Sequence, residues 1–362
     1  MSEDTLRLLL VEDCEEDVRN CQAAVRRFKD EKQRDIDLII CRTLDEGLNK
    51  VDNYFDGAIV DLRLNGGGSE GNEIIRKIKE SYFRIPVAIL TGTPANADAD
   101  DTYLGIFMKG ETSYMELFNQ LSGIYDTGLT RILGGRGRIE ETLNQVFREC
   151  LLRKGCLKKW VEYGKDNPEQ TEKALLRHTV NHLMHLLDDD TDLFKPEEVY
   201  IFPPLQEGIR TGGIVRSRKG ESYFVILNPA CDLVVRKNGS FKTDCILVAE
   251  VKKKEIVAGI VLKDIVKPDR RKVKIGELLK NNYTNYYHWL PPTDFFEGGF
   301  LDFRHIATVS PEVFGQEFEK PHIQISSPFV KDIIARFSSY YARQGQPEIE
   351  NSLFVERLAQ SN

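Results

Sequence analysis

No apolar run in this chain approaches the ~20 residues that a membrane-spanning helix needs, so a membrane-embedded protein is not expected. The opening Met1-Ser2-Glu3-Asp4 is acidic, so no secretory signal is expected either. None of the seven cysteines forms a CxxC pair and their number is odd, which fits reduced thiols in a cytoplasm better than a disulfide framework. A helix-turn-helix pattern with a basic recognition helix is also missing, and a conventional transcription-factor output is therefore not supported.

What is present is enough for two or three domains: 362 residues, 41% hydrophobic and 30% charged, the balance of an ordinary soluble protein. Charge is uneven along the chain. Residues 1–126 carry 25 acidic and 15 basic side chains, a net −10, so the rest must be slightly basic to reach the chain total of −7.

The acidic third is organised by four apolar runs that end in polar residues. Leu8-Leu9-Leu10-Val11 runs into Glu12-Asp13, Ala58-Ile59-Val60 into Asp61, Val87-Ala88-Ile89-Leu90 into Thr91, and Ile106-Phe107-Met108 into Lys109. Continuous apolar runs of this length read as buried parallel strands. The stretches between them are helical in period, with Val18, Cys21, Ala24, Val25 and Phe28 after the first and Ile74, Ile75 and Ile78 after the third. The expected fold is a doubly wound five-stranded parallel α/β sheet, whose ligands sit outside the carboxyl ends of the strands. An isolated Asp at a strand end is usually a turn or cap residue, and Asp13 alone could cap the helix that begins near Glu15. Four such ends in order are harder to explain that way.

On these residues, 1 to about 126 resemble a two-component receiver domain, the module of bacterial response regulators. The resemblance implies that Asp61 is the phospho-acceptor, that Glu12 and Asp13 with Asp61 hold Mg²⁺, that Thr91 is the hydroxyl switch residue and that Lys109 contacts the phosphoryl group. It also implies a partner, a sensor histidine kinase or a phosphotransfer protein. The residue types suit the chemistry, because a carboxylate attacking an already anionic phosphoryl group needs nearby negative charge neutralised. A degenerate receiver that keeps the fold without being phosphorylated is the alternative.

Three departures from the family pattern stand out. Gly110 follows Lys109 where receivers usually have proline, and Ile106 replaces the usual aromatic three residues before the lysine, with Phe107 expected on the opposite face. The segment from Thr91 to Lys109 is short and carries Ala97-Asp98-Ala99-Asp100-Asp101, so a short or irregular fourth helix is expected. The glycine-rich loop Asn65 to Ser69 reads either as a flexible connection or as a backbone cradle near the phosphoryl group.

Beyond the receiver, Gly134-Gly135-Arg136-Gly137 reads as a link, and residues 127–192 as a helical linker or small helical domain. In its second helix His178, His182 and His185 share one face, with Leu176, Val180, Leu183 and Leu187 roughly opposite; a solvated or partner-facing surface is expected, with zinc or phosphotransfer as alternatives. Residues 193–345 read as a β-rich α+β domain, with a small barrel as one arrangement, and 346–362 as a polar tail.

Two features of the β-rich domain bear on function. Asp232, Glu250 and Lys252 faintly resemble the acidic and E-x-K elements of restriction-type nucleases, in which the carboxylates bind a metal and the lysine positions water. Lys252 to Lys274 holds nine Lys or Arg and three Asp or Glu, a segment able to neutralise phosphates or to form a solvated face. Nucleic acid is thus an alternative partner without being the favoured one. A receiver joined to a large C-terminal region without recognisable DNA-binding or diguanylate motifs is similar in architecture to receivers of unusual bacterial signalling operons, anti-phage two-component systems among them. The reading is a cytoplasmic, non-enzymatic response regulator phosphorylated on Asp61, whose C-terminal module binds an unidentified effector protein; a phosphorylation-gated nuclease and a phosphate sink without its own output are the alternatives.

Overall fold

The apolar runs of the first third form strands β1 (Leu6–Val11), β2 (Ile36–Cys41), β3 (Gly57–Val60), β4 (Val87–Thr91) and β5 (Gly105–Met108), which pair in parallel in the order β2-β1-β3-β4-β5. The computed structural model describes residues 5–65, 67–98, 104–185, 193–206, 208–236, 239–343 and 350–360. Helices α1 (Glu15–Lys32) and α4 (Tyr114–Asp126) bury Val18, Cys21, Phe28, Leu117, Phe118 and Leu121 on one face of the sheet with Leu8 and Leu10. On the other face, α2 (Leu44–Lys50) and α3 (Gly71–Glu80) cover Leu9 and Val11, mainly through Ile74, Ile75 and Ile78. Alternate residues of β1 thus enter two cores, which is why its sequence is apolar without interruption.

Between β4 and β5 the described residues hold a single 3₁₀ turn, Pro94–Asn96, in place of a full fourth helix; residues 99–101 of the acidic run lie outside the described residues. Ile106 and Met108 are exposed, whereas Phe107 packs against the α1/α4 core, as strand alternation requires. Gly110 has φ +88°, a left-handed conformation closed to the fixed φ of proline, so the absent proline follows from the turn that is made.

The segment after α4 is packed against loops of the parallel sheet. Helices α5 (Leu129–Leu133), α6 (Arg138–Gln145), α7 (Lys154–Asp166) and α8 (Pro168–His185) follow, with a π-helical turn at Val146–Leu151, and they belong to the same compact unit, Met1–Asp190. Gly135 N–H donates to the Asn53 carbonyl at 2.6 Å, Arg136 donates to the Tyr54 carbonyl, and Arg84 bonds the Leu133 carbonyl and pairs with Glu140. These receiver loops precede β3 and β4, at the pole of the sheet opposite Asp61. The glycine-rich link is therefore a seat, made of glycine because the backbones approach closely: a Cβ at Gly135 would stand 2.9 Å from the Asn53 oxygen. Gly135→Ala is expected to lower stability by about 1–3 kcal/mol, read as a shifted urea midpoint. An unchanged midpoint would show that the seat does not exist in solution.

Two of the three histidines of α8 turn inward, contrary to the sequence expectation, while His185 is exposed as expected. His178 and His182 are half-buried, His178 packs on Trp160, and the outward side presents Leu176 and Val180, 65% and 45% exposed. Cys150 Sγ lies 4.0 Å from His182 Nδ1, while His182 Nε2 lies 3.3 Å from His178 Nε2. The two contacts use opposite edges of one ring, so they offer no common point for a zinc ion. Leu187 lies outside the described residues.

The second unit, Thr191–Asn362, is built on one antiparallel sheet. Its strands are β6 (Tyr200–Ile201), β7 (Gly213–Arg216), β8 (Tyr223–Ile226), β9 (Ile246–Lys252), β10 (Tyr287–Leu290), β11 (Gly299–Val309) and β12 (Ile323–Ile325), in the order β10-β11-β9-β8-β7-β12-β6. Among the described residues no pairing joins the β10 and β6 edges, so the sheet is open rather than a closed barrel. Helices α9 (Lys254–Leu262) and α10 (Pro268–Leu279) carry most of the basic segment, and α11 (Pro311–Glu317) and α12 (Ser327–Tyr341) follow. A helix α13 (Ser352–Ala359) occupies part of the expected polar tail.

Candidate functional site

The strand ends converge. Glu12 and Asp13 follow β1, Asp61 follows β3, and one carboxylate oxygen from each lies within 4.8 Å of the other two. Glu12 and Asp61 are buried, 1% and 5% exposed, beneath the loops that leave the sheet. Lys109, placed by β5, reaches them: its Nζ is 2.6 Å from Glu12 Oε2 and 2.7 Å from Asp61 Oδ2. Thr91 ends β4 fully buried, and its Oγ1 accepts from the Thr93 amide at 3.2 Å.

The sequence reading missed several supports. Asp17, in the first turn of α1, gives Lys109 its third carboxylate at 2.9 Å. Asp13 Oδ2 accepts from the Asn65 amide at 2.7 Å, which ties the loop after Asp61 to the end of β1. Asn72, 5% exposed, donates to the Asn96 carbonyl, and Asn96 in turn donates to the Gly68 carbonyl. The loop after Asp61 is thereby clasped to the loop after Thr91. Gly66 lies outside the described residues.

Electrostatically the pocket has more carboxylates than cations. Burial, with the nearby Asp61 charge, pushes the Glu12 carboxyl up to about 7 despite the pull of Lys109. Lys109 loses hydration, yet its bonds to Asp61, Glu12 and Asp17 hold the ammonium above its ordinary value. An all-oxygen carboxylate cluster with this surplus of negative charge fits a hard dication.

Tyr114, at the start of α4, is 9% exposed and its hydroxyl has no hydrogen-bond partner among the described residues. Burial, reinforced by Glu12, Cys21, Asp17 and Asp61, holds the phenol well above its usual range. Tyr114→Phe is expected to leave stability unchanged or raise it by up to about 1 kcal/mol in thermal or urea unfolding, since an unsatisfied buried hydroxyl carries only a desolvation cost. A loss above about 1 kcal/mol would mean that the hydroxyl is bonded.

The E-x-K constellation does not assemble as expected. Glu250 Oε2 and Lys252 Nζ meet at 2.6 Å near the end of β9. The Asp232 carbonyl accepts from the Thr243 amide, beyond the opposite end of that strand, and Ile246 to Glu250 alone spans about 13 Å. Asp232 is therefore not brought to Glu250 and Lys252, and among the described residues no candidate metal cluster contains any of the three.

No protein-family model matches the chain, and no curated protein matches it. Solved receiver domains match its N-terminal third. The receiver domain of Francisella response regulator 1452 is 16% identical, covering 34% of this chain and 98% of that one at a TM-score of 0.26. A response regulator receiver domain from Clostridium thermocellum is 19% identical, covering 34% and 95% at 0.28. The non-phosphorylated HemR receiver domain from Leptospira biflexa is 22% identical, covering 33% and 93% at 0.27. The first third is a five-stranded parallel sheet of order β2-β1-β3-β4-β5 with helices on both faces. Its five parallel strands and the residues at their ends are the observations that bear on function. Among the described residues no helix is long and apolar enough to cross a membrane.

Proposed function

We propose that this chain is a response regulator that accepts a phosphoryl group on Asp61 from the phosphohistidine of a sensor histidine kinase or phosphotransfer protein. The observation that carries the reading is the convergence of Glu12, Asp13 and Asp61 with Lys109 bonded to the acceptor carboxylate. The Asp61 carboxylate attacks phosphorus, the P–N bond to the donor imidazole breaks with its electron pair going to nitrogen, and an acyl phosphate forms. Glu12, Asp13 and Asp61 are the residues to hold Mg²⁺, which when bound supplies positive charge to the phosphoryl oxygens. Lys109 exchanges its carboxylate partners for a phosphoryl oxygen, and the Thr91 hydroxyl donates to another.

The C-terminal unit acts in this reading as a partner-binding module without catalysis of its own. Incubating the chain with Mg²⁺ and acetyl phosphate, and reading acyl phosphate by phosphate-affinity electrophoresis, tests the acceptor. Labelling that is lost on Asp61→Asn supports the reading; labelling that survives refutes it.

A further inference from the structure

The second unit contains a built cavity of about 350 Å³, between the end of β9, the start of α9 and the middle of β11. One wall is apolar, made by Val251, Ile256, Val257 and Ile260; the other is polar, with Glu250, Lys252, Tyr287, Asp302, Arg304 and His305. Concave sites of mixed character, apolar with a few converging polar groups, are typical of small-molecule recognition, and this volume is at the low end of their ~300–1,000 Å³.

The polar wall is organised around a buried carboxylate. Asp302 is 1% exposed, and its Oδ1 accepts from the Arg304 amide and Nε at 3.0 and 2.9 Å. Its Oδ2 accepts from Arg304 Nη2 at 2.8 Å and lies 2.9 Å from His305 Nδ1. Burial pushes the Asp302 carboxyl up, but the Arg304 bonds and charge, with His305, bring it below its ordinary value, so it is ionised. An ionised Asp302 fixes the His305 proton on Nδ1 and leaves Nε2 as the exposed edge of the ring.

The backbone is shaped to present these groups. Leu301 pairs with Val251 and Ile306 with Ala249, so five steps along β11 match two along β9, and Asp302 to His305 are displaced from that ladder. Bulges of this kind re-aim side chains and recur beside binding sites. Arg304 also donates from Nη2 to the Tyr287 hydroxyl at 2.8 Å and stacks on Tyr286, which leaves Nη1 without a partner among the described residues. Among the described residues Lys252 Nζ has one partner, Glu250, which leaves two further protons to donate.

We propose that this cavity binds a mononucleotide, with the base on the apolar wall, the phosphate held by Lys252 and Arg304, and a ribose hydroxyl donating to His305 Nε2. A phosphate monoester supplies the acceptors that an ammonium and a guanidinium Nη1 require together, and the sugar supplies the hydroxyl donor that the imidazole Nε2 requires. The planar base matches the exposed aliphatic surface of Ile256 and Ile260, backed by Val251 and Val257, and the volume suits one nucleotide unit rather than a chain. The inference does not depend on phosphorylation of Asp61.

Calorimetric titration of the full-length chain with AMP, GMP, CMP and UMP is the test, with inorganic phosphate, the free nucleosides and a single-stranded RNA as further arms. At least one nucleotide is expected to bind, and more tightly than phosphate or its nucleoside. Lys252→Gln is expected to weaken it about tenfold to a hundredfold, the range for a lost charge-assisted hydrogen bond, and His305→Phe about threefold to tenfold, the range for a neutral one; both positions are partly exposed. Ile260→Asp, on the apolar wall, is expected to weaken the nucleotide but not inorganic phosphate. No heat from any nucleotide at millimolar concentration overturns the proposal, as does binding unchanged by all three substitutions. RNA binding that mononucleotides do not compete away, in the absence of mononucleotide binding, assigns the surface to nucleic acid instead and overturns it too.

Discussion

Lys109→Met is expected to abolish phosphorylation of Asp61 and to make the stability of the receiver depend on Mg²⁺. The Lys109 ammonium lies within 2.9 Å of Glu12, Asp17 and Asp61, two of which are almost fully buried. Methionine keeps most of the volume but leaves those carboxylates without a counter-charge. Removing one partner from a buried ion pair costs roughly 3–5 kcal/mol; with the Lys109 side chain 22% exposed, about 2–3 kcal/mol is expected at neutral pH. A dication stabilises a folded chain that binds it in proportion to the logarithm of its concentration over its dissociation constant. The midpoint of thermal unfolding should therefore rise more with Mg²⁺ in the variant than in the parent. Labelling by acetyl phosphate should not recover, because the cation proposed to contact the transferring group is gone. A variant as stable as the parent, indifferent to Mg²⁺ and still labelled, would remove Lys109 from the pocket.

The pocket was legible because each of its main residues ends an apolar strand, and in a parallel sheet those ends share one pole. Asp17 was not legible, since an acid in the first turn of a helix is ordinary for dipole reasons and Glu15 and Glu16 stand beside it. Asn72 and Gly71 were hidden for a related cause: their roles lie in what the backbone meets. A Cβ at Gly71 would stand 2.2 Å from the Asp61 carbonyl oxygen, so α3 can begin close beneath Asp61 only with glycine there.

The second unit was less legible because its strands are short and its pattern is broken where it matters. In Phe300-Leu301-Asp302-Phe303-Arg304-His305 the strand alternation suggests nothing unusual; the bulge, the burial of Asp302 and the approach of Glu250 and Lys252 appear only in three dimensions. The glycine-rich segment after α4 reads in the sequence only as a link; that it is seated against Asn53 and Tyr54 depends on backbone approach, which composition does not show.

His288 should make the second unit lose stability as the pH falls from neutrality. It lies on β10, 4% exposed, and its Nδ1 has no hydrogen-bond partner among the described residues. Burial, with the adjacent Arg336 charge, pushes its pKa from 6.5 down to about 3. Asp332, 3.6 Å away and 58% exposed, is too distant and too well solvated to reverse that. The folded state therefore keeps the ring neutral while the unfolded chain takes up a proton below pH 6.5, so stability is full above that value and is lost as the pH falls towards 3. At about 1.4 kcal/mol per unit, the loss from this one group between pH 7.5 and pH 5 is about 2 kcal/mol. Urea unfolding at the two pH values, followed by Trp289 fluorescence in a Trp160→Phe background, isolates this unit. His288→Leu should reduce the difference between the two unfolding free energies by that amount. An unaltered difference would show that His288 is protonated in the folded protein and paired with Asp332 after all.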